Sequence, residues 1–174
     1  DIMSQLPALK KKFLTYQGFA VAKMNDLFSQ EELKNSFRLS ANYFKSVYIE
    51  NRGKGEFIFH PLPEMAQMAP LNGMVAGDVN QDGFLDIIIC GNDYGTEVST
   101  GRYDAMNGLI LIGDGKGSFR SLALKETGFF VPGNAKALVR LKGPGNEWLL
   151  AASQNRSWLK MFRNTSGNSK VISL

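Results

Sequence analysis

From Phe44 onward, apolar residues fall into short runs, each cut off by Gly, Asn or Asp, as in β-strands joined by tight turns. Val47-Tyr48-Ile49 leads through Glu50-Asn51-Arg52-Gly53-Lys54-Gly55 to Glu56-Phe57, a strand meeting a glycine-rich turn and then a second strand. The same pattern returns as Leu109-Ile110-Leu111-Ile112, then Gly113-Asp114-Gly115-Lys116-Gly117, then Ser118-Phe119. Gly73-Met74-Val75-Ala76 with Leu85-Asp86-Ile87-Ile88-Ile89 is echoed by Ala137-Leu138-Val139-Arg140 with Trp148-Leu149-Leu150-Ala151-Ala152. Trp158-Leu159-Lys160-Met161-Phe162 opens a further unit. The run Ile87-Ile88-Ile89-Cys90 is far shorter than the roughly 20 residues of a membrane span and predicts a buried strand.

Residues 1–45 have a different texture. Ser29-Gln30-Glu31-Glu32 is a capping box, and Phe28 and Leu33 have the spacing of a hydrophobic staple. Helices are predicted over Phe19–Phe28 and, more weakly, over Pro7–Tyr16. They carry no chemical motif and read as packing elements.

The expected fold is therefore mainly β with a helical N-terminal segment. Four short strands per unit is the content of one β-propeller blade, so the chain predicts a partial propeller of about two four-stranded blades plus the start of a third. The expected division is a helical leader or insertion at 1–45 and blades over 46–174, with units at 46–107, 108–156 and 157–174. Closing a propeller ring typically takes 4–8 blades. Either the remaining blades belong to a longer parent chain or the strands form a small open array. The chain begins at Asp1 without an initiator Met, and it reads as a piece of something longer.

Composition narrows the picture modestly. The 174 residues are 44% hydrophobic and 21% charged, in the range of a globular domain, and the formal net charge is +4. Lys10-Lys11-Lys12 is the dense basic cluster, but it lacks interleaved aromatics and reads as a solvated helix face, not a nucleic-acid patch. Cys90 is the single cysteine, so an intrachain disulfide is excluded, and its place at the end of an apolar run predicts a small buried residue.

The chemistry concentrates in Asp78-Val79-Asn80-Gln81-Asp82-Gly83-Phe84-Leu85-Asp86. Asp78, Asn80 and Asp82 take loop positions 1, 3 and 5. Gly83 at position 6 permits a sharp turn, the Phe84 carbonyl sits at position 7, and Asp86 sits at position 9. Calcium prefers six to eight hard oxygen ligands, which such alternation supplies. An EF-hand would need a bidentate Glu at position 12, where Ile89 stands, and helices on both sides. An ion-free Asx-rich turn is the alternative, yet turns seldom place four oxygens at i, i+2, i+4 and i+8. One calcium ion of structural role is the expectation.

With its hydrophobic strand following, this loop resembles the calcium loop of FG-GAP/VCBS repeats, the blades of integrin-alpha-type β-propellers. The units Tyr48–Phe57 and Ile110–Phe119 are similar to the segment that precedes such a loop in that family. The whole chain, with Gly91-Asn92-Asp93-Tyr94-Gly95-Thr96-Glu97-Val98, resembles the C-terminal part of large VCBS-repeat proteins of Bacteroidetes-type bacteria. The resemblance implies an exported protein, extracellular, at the outer-membrane surface or in the periplasm. In the second unit, Lys142-Gly143-Pro144-Gly145-Asn146-Glu147-Trp148 stands where the loop would recur, shorter and without alternating carboxylates. No ion is expected there.

A second polar stretch, Asn92 to Asn107, is too long for a simple hairpin turn. It gathers Asp93, Tyr94, Glu97, Arg102, Tyr103 and Asp104, the residue types a sugar or peptide site uses. The plainer alternative is a connection between blades whose Arg102 pairs with Asp104 or Glu97. If this stretch of chain holds a ligand site, it is here. Catalysis finds no motif: His60 is the single histidine and is followed by Pro61, and Gly113–Gly117 lacks the Lys-Ser/Thr pair of a phosphate loop. The expected function is non-catalytic, a calcium-stabilised segment recognising a protein or glycan, with the rest of a parent propeller as partner. A purely architectural segment is the alternative.

Overall fold

The computed structural model describes residues 2–144, 147–164 and 171–173. The chain divides into two compact units, residues 1–43 and 44–174. The first is a run of short helices: α1 (Ile2–Gln5), α2 (Ala8–Lys12), α3 (Tyr16–Ala20), α4 (Met24–Leu27) and α5 (Gln30–Lys34). The predicted capping box starts α5: the Ser29 N–H donates to Glu32 Oε2 at 2.8 Å, and the Glu32 N–H donates to Ser29 Oγ at 3.2 Å. The helix predicted over Phe19–Phe28 is broken in two. Lys23 is extended at φ −93° and ψ 167°, and its N–H donates to Asp26 Oδ2 at 2.8 Å, so a new helix starts there. The helix predicted over Pro7–Tyr16 shortens to α2 because Thr15 caps α3 instead, its Oγ1 accepting the Gly18 N–H at 3.1 Å.

The second unit is mainly β, in three antiparallel sheets. A hairpin pairs β1 (Val47–Gly53) with β2 (Glu56–Pro61). One four-stranded sheet runs in chain order through β3 (Leu71–Gly77), β4 (Asp86–Gly91), β5 (Leu109–Gly113) and β6 (Phe119–Ser121). A short helix, α6 (Leu124–Thr127), leads to the second sheet: β7 (Ala135–Lys142), β8 (Trp148–Gln154), β9 (Lys160–Asn164) and β10 (Val171–Ser173), again in chain order.

The sheets divide the sequence repeat at a different point from the units at 46–107, 108–156 and 157–174. β1 and β2 precede β3 and β4 in the first repeat, yet β4 pairs with β5, across the long 92–107 connection. Likewise β9, which opens the third repeat, pairs with β8. A repeat has no intrinsic start, and pairing follows the strand edge that each connection reaches.

Two cores flank the first sheet. Ile88, Cys90 and Ile110 face the second sheet and pack with Leu138, Leu150 and Phe162. Ile89, Leu109 and Leu111 face the other way and pack with Leu62, Ala66 and Met106, against Tyr48 of the hairpin. Side chains alternate along a strand, so β4 and β5 must be apolar at successive positions to serve both cores. Each such side chain, fully buried, contributes on the order of 1.5–3 kcal/mol. At Gly73 a Cβ would lie 2.5 Å from the Leu138 backbone nitrogen, so β3 and β7 meet backbone to backbone there.

Candidate functional site

The β3–β4 connection turns sharply. Gln81 and Gly83 have φ of 64° and 89°, and these two left-handed residues turn the chain back on itself. Asp78 accepts the Asp82 N–H on Oδ1 at 3.1 Å and the Gly83 N–H on Oδ2 at 2.9 Å. Asn80 Oδ1 accepts the Asp82 N–H at 3.1 Å, and Asp82 Oδ1 accepts the Phe84 N–H at 2.8 Å. The oxygens at positions 1, 3 and 5 thus all turn into the loop.

Asp86 has a further task that the sequence did not announce. It is fully buried at the start of β4; its Oδ2 accepts the Val79 N–H at 2.8 Å and its Oδ1 accepts the Gly113 N–H at 2.9 Å. Both oxygens are committed to backbone groups that burial would otherwise leave without water. The carboxylate therefore staples the loop to the end of β5. Among the described residues, no three Asp, Glu, His or Cys side chains are grouped to hold a metal ion. The loop's donors are nonetheless hard oxygens, and a carboxylate oxygen accepting one N–H keeps a second lone pair for a cation. The donor type is one that calcium takes. Of the corresponding stretch in the second sheet, Gly145 and Asn146 lie outside the described residues.

The other end of β4 feeds the 92–107 connection. Asn92, fully buried at φ 86°, anchors it: Oδ1 accepts the Met106 N–H at 2.9 Å, and Nδ2 donates to the carbonyls of Met106 at 2.7 Å and Gly133 at 3.0 Å. Beyond it, Asp93 and Tyr103 exchange both backbone hydrogen bonds at 2.9 Å. The Arg102 guanidinium lies over the Tyr94 ring, 4.9 Å from its centroid.

Here the chain forms a cleft of about 620 Å³, within the roughly 300–1,000 Å³ of ligand sites. Asp93, Tyr94 and Arg102 of the predicted stretch line it, together with Asn134 from the connection that precedes β7, Lys136 of β7 itself and Arg156 from the connection that follows β8. Glu97, Tyr103 and Asp104 lie outside that lining. Glu97 instead closes a turn, its carbonyl accepting the Thr100 N–H at 2.9 Å. Lys136 was not foreseen. It occupies a bulge in β7, between Ala135 and Ala137, and such irregularities re-aim side chains. It reaches Asp93 Oδ1 at 3.8 Å.

The remaining reactive groups lie elsewhere. Burial pushes the Cys90 thiol up to about 11, which makes it a poor nucleophile. His60 Nε2 is 2.9 Å from Glu50 Oε2, and its ring stacks on Tyr48. That contact, with Arg52 beside it, holds the Glu50 carboxyl below its ordinary range. Asp114 fixes the Gly113–Gly117 turn by accepting the N–H groups of Lys116 and Ser118 at 2.8 and 3.0 Å, which lowers its own pKa. No protein-family model matches the chain, and no curated protein matches it. No helix among the described residues is long and apolar enough to cross a membrane.

Proposed function

We propose that residues 44–174 are a non-catalytic recognition segment of an FG-GAP/VCBS-type β-propeller, exported to the cell surface or periplasm, that binds a protein or glycan in the cleft beside Asp93, Tyr94 and Arg102. The observation that carries it is convergence: three separate connections bring charged, amide and aromatic side chains to one concave site on a rigid sheet pair. Consecutive antiparallel strands in each four-stranded sheet, with β3 and β7 closest, support the propeller part of this reading.

In this reading one calcium ion sits in the 78–86 loop, held by Asp78, Asn80, Asp82, the Phe84 carbonyl and a free lone pair of Asp86. Its task is structural. The loop enters β4 and the cleft lies beyond its exit, about 20 Å away for a six-residue strand. The ion fixes one end of the strand while recognition takes place at the other.

An architectural role is the second reading, and the β1–β2 hairpin favours it. This two-stranded sheet pairs with no further strand among the described residues, and Ile49 and Phe57 on it are half-exposed. Such an edge suits docking onto more strands of a parent chain.

Hydrogen exchange of the chain against a panel of glycans and candidate proteins tests the choice. Recognition requires ligand-dependent protection of residues 92–107, 133–136 and 155–157. Protection confined to 47–61 by an added upstream segment, with the cleft unaffected by every ligand, would leave only the architectural role.

A further inference from the structure

The β1–β2 hairpin repeats the β5–β6 hairpin in register as well as in sequence pattern. Ile49 lies opposite Phe59 and Asn51 opposite Phe57, as Leu111 lies opposite Ser121 and Gly113 opposite Phe119. On its other edge β5 carries β4, with Ile87, Ile88 and Ile89 opposite Leu111, Ile110 and Leu109. β1 carries no strand on that edge among the described residues.

The direction of the backbone groups matches as well. The Leu62 N–H donates to the Ser46 carbonyl at 3.0 Å, and in an antiparallel pair alternate residues face the partner strand. Tyr48 and Glu50 therefore turn their backbone groups toward β2, while Val47 and Ile49 turn theirs outward. In β5 the Leu122 N–H donates to the Ile110 carbonyl at 2.9 Å, so the outward residues there are Leu109 and Leu111, which meet β4. Leu111 is fully buried, whereas its counterpart Ile49 and the nearby Phe57 are half-exposed. Backbone and side chains of β1 thus call for the same neighbour, an apolar strand. Edges that avoid such pairing carry Lys or Pro, and Val47 and Ile49 are neither.

One position departs from the precedent and limits the contact. A Cβ at Gly113 would run into the Leu85 carbonyl oxygen, and Asn51, which has a Cβ, stands in its place. A strand on β1 must therefore leave the edge before Asn51. Its source follows from topology. Both four-stranded sheets run in chain order, so the strand beside β1 is one that comes before the helical residues 1–43.

Resting on the architectural reading of the hairpin, we propose that β1 accepts, along Val47–Ile49, an antiparallel apolar strand of the β4 type from upstream in the parent chain. Main-chain hydrogen bonds hold it, and its alternate side chains extend the apolar face of Ile49 and Phe57.

The test uses the whole chain, amide chemical shifts and a soluble copy of β4: residues 85–91 with Cys90→Ser, acetylated and carrying terminal lysines. At millimolar peptide the signals of residues 46–51 should shift saturably. In β4 the backbone groups of Ile87 and Ile89 meet β5 and those of Ile88 meet β3. N-methylation at the Ile89 position should therefore weaken binding at least about tenfold, and at the Ile88 position by less than about threefold. Ile49→Pro removes an outward N–H without touching a bond to β2, and should abolish binding with the β1–β2 pairing intact. The methylated peptides decide the matter even if that variant folds poorly. Equal effects of the two methylations, or shifts confined to residues other than 46–51, would overturn strand pairing at β1 while leaving the hairpin as a docking surface. A dimer in sedimentation that Ile49→Pro dissolves would assign the edge to a second copy and overturn the upstream source. No shift with any peptide would overturn the proposal, and the architectural reading would still be judged by whether an added upstream segment protects residues 47–61.

Discussion

The side chain of Asn92 bonds both backbone groups of Met106, accepting from its N–H at 2.9 Å and donating to its carbonyl at 2.7 Å. One buried amide thereby closes a connection that spans fourteen positions of the chain. It also holds the connection against the next sheet, through the carbonyl of Gly133. The cleft depends on this closure, because Asp93, Tyr94 and Arg102 lie within the closed segment.

Asn92→Ala should destabilise the second unit by about 3 kcal/mol, since it strips partners from buried backbone groups. Asn92→Gly relieves the φ of 86° but restores none of those bonds, and it should remain destabilised. Urea unfolding measures the loss. Hydrogen exchange should report it first in residues 92–107. A Gly variant with wild-type stability would assign the role of Asn92 to backbone conformation alone.

Asp82 and Asp86 should separate the ion from the staple. At millimolar calcium, an affinity typical of extracellular modules, Kd about 10⁻⁴–10⁻³ M, adds on the order of 1 kcal/mol. Asp82→Ala should abolish that increment and change calcium-free stability by about 1 kcal/mol or less. Asp86→Asn should cost about 2–3 kcal/mol with or without calcium, because an amide nitrogen would face either the Val79 or the Gly113 N–H. Thermal melts and calorimetric titration of the three proteins decide it. An unchanged wild-type melt and no heat of binding at millimolar calcium would reduce the loop to an acidic turn.

Gly73→Ala should destabilise by about 2 kcal/mol or more, because the new methyl group meets the Leu138 backbone and forces two packed sheets apart. Gly77→Ala on the same strand is the control. Its Cβ meets only the Arg140 guanidinium, at 3.4 Å, and the cost should stay within about 0.5 kcal/mol. Equal losses in urea unfolding would show that β-strand propensity, not the close approach of β3 and β7, decides the effect.

Cys90 should resist iodoacetamide at pH 8 in the native protein and react readily once unfolded. Its thiol lies between the sheets, fully buried, with its pKa raised from 9.0 to about 11 by burial. The unfolded chain ionises first, so this contribution to stability is complete below pH 9 and falls as the pH rises towards 11. Rapid native labelling at a rate independent of urea would place the thiol at the surface.

Local stereochemistry made much of this protein legible in its sequence. The capping box at Ser29 and Glu32, the turn glycines and the β-branched run of β4 are encoded within a few consecutive residues, and the alternating oxygens of the 78–86 loop turn inward because Gly83 permits the turn. The pattern could show that Ile87 to Cys90 is buried on both faces, but not that Ile88 and Cys90 face one core and Ile89 the other. Asp86 looked like a ligand by its position, and only the approach of β5 revealed Gly113 waiting for its second oxygen. Asp93, Tyr94 and Arg102 stood out as chemistry in one stretch. Asn134, Lys136 and Arg156 did not, because they reach the cleft from other connections and from β7, and nothing local records which strand edges those connections join. Sequence spacing fixes what neighbours along the chain can do together; strand pairing and sheet packing decide which distant side chains become neighbours.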